Sequence, residues 1–122
     1  MKFKNFVTFI LLLLILVSCS NTQNNILDSN LSTLEGIIAD KANNNQRLLV
    51  IPNIDKSDLT NNDLNDLLIL AEQNNGIYFN VSKEEYENYN IGDKVLVEYD
   101  IEGDVEESNP PIRSAIKIRS LD

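Results

Sequence analysis

Beyond residue 33 the apolar positions fall into short runs whose period changes from two to 3.6 and back. Residues 34–40 set Leu34, Gly36 and Ile38 on one face, and residues 47–54 are nearly continuously apolar. Asn43, Asn44 and Asn45 between these runs predict a hairpin turn. Further on, Ile77, Phe79 and Val81 alternate with Tyr78, Asn80 and Ser82, and Val95, Val97 and Tyr99 alternate with Lys94, Leu96 and Glu98. A last segment carries Ile112, Ser114, Ile116 and Ile118 on one face and Arg113, Lys117 and Arg119 on the other. Strict alternation of this kind marks strands with one buried side, because successive strand side chains point to opposite faces.

Two helices interrupt these strands. Thr60 with Asp63 three residues later fits a capping pattern, and Leu64, Leu67, Leu68 and Ala71 follow at the spacing of one helical face. Gly76, after Asn74 and Asn75, supplies a stop. Ser82 and Glu85 form a second capping box that opens a short helix over 83–89, and Gly92 with Asp93 turns the chain into the next strand. The pattern therefore predicts a mainly β fold with two helices. A helix between the third and fourth of five strands is the order of an OB-fold, a small Greek-key barrel, here with an extra helix over 60–73 inserted between strands two and three. An open antiparallel α+β sheet covered by one helix is the alternative.

The N-terminal pattern is of a different kind. Lys2 and Lys4 precede an apolar run over residues 6–17, broken only by Thr8 and well short of the roughly 20 residues a membrane span needs. Leu16, Val17, Ser18 and Cys19 follow in the order of a lipoprotein export signal: a positive start, an apolar run, a small residue and then the cysteine. The expectation is cleavage after Ser18 and a diacylglyceryl group on the Cys19 thiol, with further fatty acyl chains such as palmitate. An uncleaved anchor, or an ordinary signal with an incidental cysteine, is the competing reading. Each buried CH2 contributes about 0.8 kcal/mol, so two or three long chains hold a protein at a membrane essentially permanently. The chain then divides into a signal peptide at 1–18, a flexible tether at 19–33 and a globular domain at 34–122. The tether is rich in Ser, Asn, Thr and Gln, with Ile26, Leu27 and Leu31 as its apolar members. Its length places the domain on the order of 20 Å from the bilayer. The predicted location is the extracytoplasmic face of the cell membrane.

Composition narrows the chemistry. Cys19 is the one cysteine and lipidation consumes its sulfur, while histidine is absent from the sequence. Ser/His/Asp and Cys/His nucleophilic systems and histidine or thiolate metal sites are thereby excluded, and an enzyme would have to work with carboxylates, Lys, Tyr or Ser. No enzymatic activity and no cofactor are expected. Ten Lys and Arg against 19 Asp and Glu give a net charge of −9, and loss of Lys2 and Lys4 with the signal deepens it by two. Nucleic-acid binding, which leans on cations meeting phosphates, is not expected. Anionic lipid head groups would repel the domain as well.

Within this acidic chain Glu98, Asp100, Glu102, Asp104 and Glu106 occupy every second position, with Glu107 adjoining. Asp100, Glu102 and Asp104 are candidate ligands for a hard cation such as Ca2+, although Gly103 does not fall where an EF-hand loop needs its glycine. A solvated charged loop is the competing reading. Arg113, Lys117 and Arg119 are candidates for gripping an anionic ligand or partner, against cross-strand pairing with neighbours such as Glu98. Tyr78, Tyr86, Tyr89 and Tyr99 offer either a stacking surface for sugar or peptide, or packing in the barrel.

The run Ile91, Gly92, Asp93, Val95, Val97, Tyr99, together with Gly36, Leu48 to Ile51, Tyr78, Phe79, Val81 and the Glu107, Ser108, Pro110 segment, resembles the YobA-like family of small lipoproteins. That family, mostly from Gram-positive bacteria, is a domain of unknown function. Asn109 departs from the aromatic residue usual between the family's serine and proline. The resemblance runs from about Leu34 to Leu121 and implies an OB-like architecture and an envelope location, with no assigned catalytic or binding residues. Three roles fit these features: a binding or interaction module for an envelope protein, cell-wall component or ion; an immunity or exclusion lipoprotein; and a cation-binding domain using the 98–107 loop. A hydrolase working with two carboxylates fits them least.

Overall fold

The computed structural model describes residues 30–122, and the expected signal peptide, Cys19 and the expected tether up to residue 29 lie outside it. Seven strands and two α-helices follow in order: β1 (Leu31–Ala42), β2 (Arg47–Ile51), α1 (Leu64–Gln73), β3 (Ile77–Asn80), α2 (Lys83–Asn88), β4 (Lys94–Asp100), β5 (Val105–Glu106), β6 (Ile112–Ser114) and β7 (Lys117–Ser120). A 3-10 turn at Lys56–Leu59 leads into α1. The mainly β architecture with two helices is as expected. The strands form one sheet in the order β5-β6-β3-β2-β1-β4-β7, an open hydrogen-bonding order rather than a closed ring.

β1 organises this sheet. Its first half pairs antiparallel with β4, from Leu31 opposite Asp100 to Ile37 opposite Lys94, and its second half pairs with β2, from Ile37 opposite Ile51 to Ala42 opposite Arg47. The register slips between Ile38 and Asp40, a bulge that bends the strand from one partner to the other. Gly36 lies two residues before this bulge, where β2 comes close: a Cβ there would lie 2.6 Å from the Ile51 carbonyl oxygen. Leu31, Ser32 and Thr33, which composition assigns to the tether, are paired strand residues because the β4 edge takes up their backbone groups.

The last strand departs most from the expected pattern. Its alternation reads as one strand over 112–119, but β6 runs parallel to β3 and β7 runs antiparallel to β4. The change of partner falls between adjacent residues: the Ala115 N–H donates to the Asn80 carbonyl at 3.0 Å and the Ile116 N–H to the Glu98 carbonyl at 2.8 Å. The period of two is lost at this break, so Ile118 is buried while Ile116, assigned to the same face, is 57% exposed. Splitting this strand and adding the two-residue β5 makes seven strands where five are predicted.

Two apolar clusters lie on the two sides of the sheet. One gathers Ile38, Leu48, Val50, Ile77, Phe79, Val95, Val97 and Ile118, with Tyr86, Tyr89 and Tyr99 packed at its margin. The other lies beneath α1, where Leu67 and Ala71 meet Ala39, Leu49 and Ile51. β2 is therefore covered on both faces, which explains why its apolar residues run continuously instead of alternating. Each Leu or Ile so buried contributes about 1.5 to 3 kcal/mol.

Helix α1 begins later than the Thr60 capping pattern predicts. Asn61 has a positive φ of 63°, which no right-handed helix accommodates, and Asp63 is the N-cap, its carboxylate accepting from the Asp66 N–H while Asp66 reaches back. Helix α2 opens on Ser82 and Glu85 as read from the sequence.

Candidate functional site

The C-terminal turn of α1 shapes one wall of a cleft. The Gly76 N–H donates to the Ala71 carbonyl at 2.7 Å, with Asn75 in the left-handed region at φ 59°, a Schellman ending. Gly76 is also where helix and sheet touch, since a Cβ would lie 2.9 Å from the Ala71 Cβ. This turn brings Glu72, Asn75 and Gly76 to the cleft, opposite Asn109, Pro111 and Arg113, with Ile77, Tyr99 and Val105 also lining it. Its volume is about 260 Å³. The far wall is tied to the sheet by the Tyr78 N–H, which donates to the Pro111 carbonyl at 3.0 Å.

Arg113 is the most constrained cation here. Its place on β6, level with Phe79 on β3 and Val105 on β5, follows from the strand register. The guanidinium Cζ lies 5.1 Å from the centre of the Tyr99 ring, and Nη1 donates to the Asp100 and Ile101 carbonyls at 3.3 and 3.4 Å. Tyr99 is itself held against Phe79, ring centres 5.5 Å apart. Stacking on an aromatic face combined with backbone acceptors fixes an arginine without neutralising it. Among the described residues the ion pairs are Arg47 with Glu106 at 3.6 Å and Lys94 with Glu35 at 3.4 Å; Arg113 takes part in neither.

The structure does not bring the three basic candidates into one grip. Arg113 lines the cleft, whereas Lys117 and Arg119 are exposed on β7, in register with Glu98 and Leu96 of β4. The acidic candidates form no ligand set either. Asp100 closes its own turn, its Oδ1 accepting from the Glu102 N–H at 2.9 Å and its carbonyl from the Gly103 N–H at 3.1 Å. Among the described residues no three carboxylate, histidine or cysteine side chains gather closely enough to hold a metal ion. Nor do the tyrosines make one platform. Tyr86 lies under the Lys41 ammonium at 4.4 Å, and the Tyr89 hydroxyl donates to the Ile118 carbonyl at 3.2 Å.

A second concavity, about 230 Å³, lies on the other side of Asn109, where Arg47, Tyr78, Ser108 and Pro110 meet. Tyr78, Arg47 and Ser108 there are engaged within the protein: the Tyr78 hydroxyl donates to Asp40 Oδ2 at 2.8 Å, Arg47 Nε to Asn80 Oδ1 at 2.8 Å and the Ser108 hydroxyl to the Pro110 carbonyl at 2.7 Å. Burial first, and then the bond to the Asp40 carboxylate, push the Tyr78 hydroxyl well above the usual 10.0. Such a tyrosine stays protonated and serves structure. The Glu72 and Asn75 side of the Arg113 cleft escaped sequence reasoning, because a helix stop signal says where a helix ends and not what its last turn faces.

Comparison with known proteins agrees with this architecture. A crystal structure of a YobA protein from Bacillus subtilis superposes with a TM-score of 0.58 at 23% identity, covering 75% of this chain and 95% of that one. The solution structure of Bacillus subtilis YobA residues 21–120 gives a TM-score of 0.58 at 22% identity, covering 77% and 84%. At such identities the likeness establishes the fold alone. No functionally curated protein matches the chain. The model of a family described as a protein of unknown function, DUF3221, matches residues 35–122, and the chain belongs to that family.

Proposed function

We propose that this chain is a lipid-anchored lipoprotein on the extracytoplasmic face of the cell membrane, acting there as a non-enzymatic binding or interaction module for an envelope protein or cell-wall component. The observation that carries the reading is the order Leu16, Val17, Ser18, Cys19 after an apolar run too short to span a bilayer. Composition supports the second half of it, since a chain without histidine and with its single thiol consumed by lipid has few routes to catalysis. The Arg113 cleft supports it further, as a concave site that holds a fixed cation.

The anchoring is tested by growing cells on a clickable palmitate analogue and following the protein through detergent phase partition. The wild-type chain is expected to carry the label and enter the detergent phase. Cys19→Ser is expected to lose the label and to accumulate as the uncut precursor. A labelled, normally processed Cys19→Ser protein would overturn the address. The interaction role is tested by crosslinking on intact cells with a tag after Asp122 and quantitative mass spectrometry; one enriched envelope partner is the expected result.

A further inference from the structure

The cleft between the end of α1 and β6 holds two opposite charges that do not cancel. Arg113 and Glu72 both line it, yet they do not pair with each other, and neither has an ion pair elsewhere among the described residues. We propose that this cleft binds a small zwitterion, a free α-amino acid or a dipeptide, whose carboxylate meets Arg113 and whose ammonium meets Glu72. The proposal deepens the binding-module reading by naming the ligand class, and it rests on that reading.

The donor geometry selects the carboxylate. Nη1 of Arg113 is already engaged by the Asp100 and Ile101 carbonyls, and among the described residues Nε and Nη2 donate to nothing. Those two atoms form one edge of the guanidinium, a parallel pair of N–H donors matched to the two oxygens of a carboxylate. Tyr99 beneath the plane and the two carbonyls beside it hold that edge in place before any ligand arrives, so little side-chain freedom is lost on binding.

Charge and size make the ligand a zwitterion and a small one. A phosphate dianion would meet one half-used guanidinium, Glu72 and a chain of net charge −9. A ligand that brings its own cation turns Glu72 from an obstacle into a partner. Asn75 and Asn109 supply neutral amides at the rim, while Ile77, Val105 and Pro111 offer apolar surface suited to a short side chain. The volume, about 260 Å³, falls below the roughly 300 to 1,000 Å³ typical of sites for drug-sized molecules.

The test titrates the full chain, purified in detergent, with alanyl-alanine, following the Arg113 Nε–H signal by NMR and the heat by calorimetry. Saturable binding that shifts this signal is expected. Acetylating the dipeptide's amine or amidating its carboxylate should each weaken binding at least tenfold. Glu72→Gln, an exposed helix position whose change leaves the fold intact, should lower affinity for the free dipeptide at least tenfold. It should leave the acetylated form unaffected. Arg113→Gln should abolish binding, and Arg119→Gln on β7 should change nothing. Acetate or inorganic phosphate binding as tightly as the dipeptide would overturn the zwitterion assignment, and an Arg113 signal unmoved at saturating dipeptide would overturn the site. Either failure leaves the crosslinking result as it stands. Consumption of the dipeptide would overturn the non-enzymatic reading without touching the site.

Discussion

At Gly36, what matters is the absence of a side chain. The Ile51 carbonyl oxygen, the Ile51 carbonyl carbon and Val50 Cγ1 stand 2.6, 2.7 and 2.9 Å from where a Cβ would be, and two of these atoms are backbone. Gly36→Ala must therefore push β1 off β2. A loss of about 1 to 3 kcal/mol is expected, read from the midpoint of urea unfolding. Tyr78 carries a pH dependence of known sign. Its folded-state hydroxyl titrates above the ordinary value of 10.0, so the folded chain holds a proton that the unfolded chain releases first. The contribution is fully present below about pH 10 and is lost as pH rises from there toward the folded value. Melting temperatures measured from neutral to strongly alkaline pH should fall more steeply for wild type than for Tyr78→Phe. Equal slopes would mean that Tyr78 does not carry the effect.

At the scale of elements, the two helices show how much a capping motif decides. Ser82 and Glu85 can be read directly, because a short helix with no strong propensity needs its first turn satisfied and few residues do that. For α1 the capping pattern starts the helix at Thr60, and the backbone moves the start to Asp63 by placing Asn61 in the left-handed region and spending Thr60 as the end of the preceding turn. Asp63→Ala should cost about 1 kcal/mol, and Thr60→Ala, which removes no cap of α1, should fall within about half that. Comparable losses in the two variants would place the start of the helix at Thr60 after all. The last strand was half legible for a related reason. Alternation assigns faces only while one partner persists, and the exchange from β3 to β4 between Ala115 and Ile116 resets it.

For the whole domain, stability is set by where the sheet is covered on both sides. β2 and the middle of β1 lie between the two apolar clusters, whereas β5 is two exposed residues at the end of the sheet. Hydrogen exchange should be slowest at Ile38 and from Leu48 to Val50, opening only with global unfolding, and fastest at Val105 and Glu106. Slow exchange in β5 would show that a partner or a second copy covers that edge. Because β5 and β6 border the Arg113 cleft, the same experiment repeated with dipeptide reads whether a ligand there stiffens the edge.

Local patterns in the sequence determined the first four of the predicted strands, the presence of two helices, the mainly β class and the resemblance to the family, because period, capping chemistry and turn residues are each settled within a few positions. The proposed export signal is likewise read from neighbouring residues alone, Leu16, Val17, Ser18 and Cys19 after the apolar run. Tertiary structure alone decided the split of the last strand, the double coverage of β2 and the meeting of Glu72 with Arg113. These depend on which distant strand or helix lies alongside, and residues 41 positions apart share a cleft only once β3 and β6 run side by side.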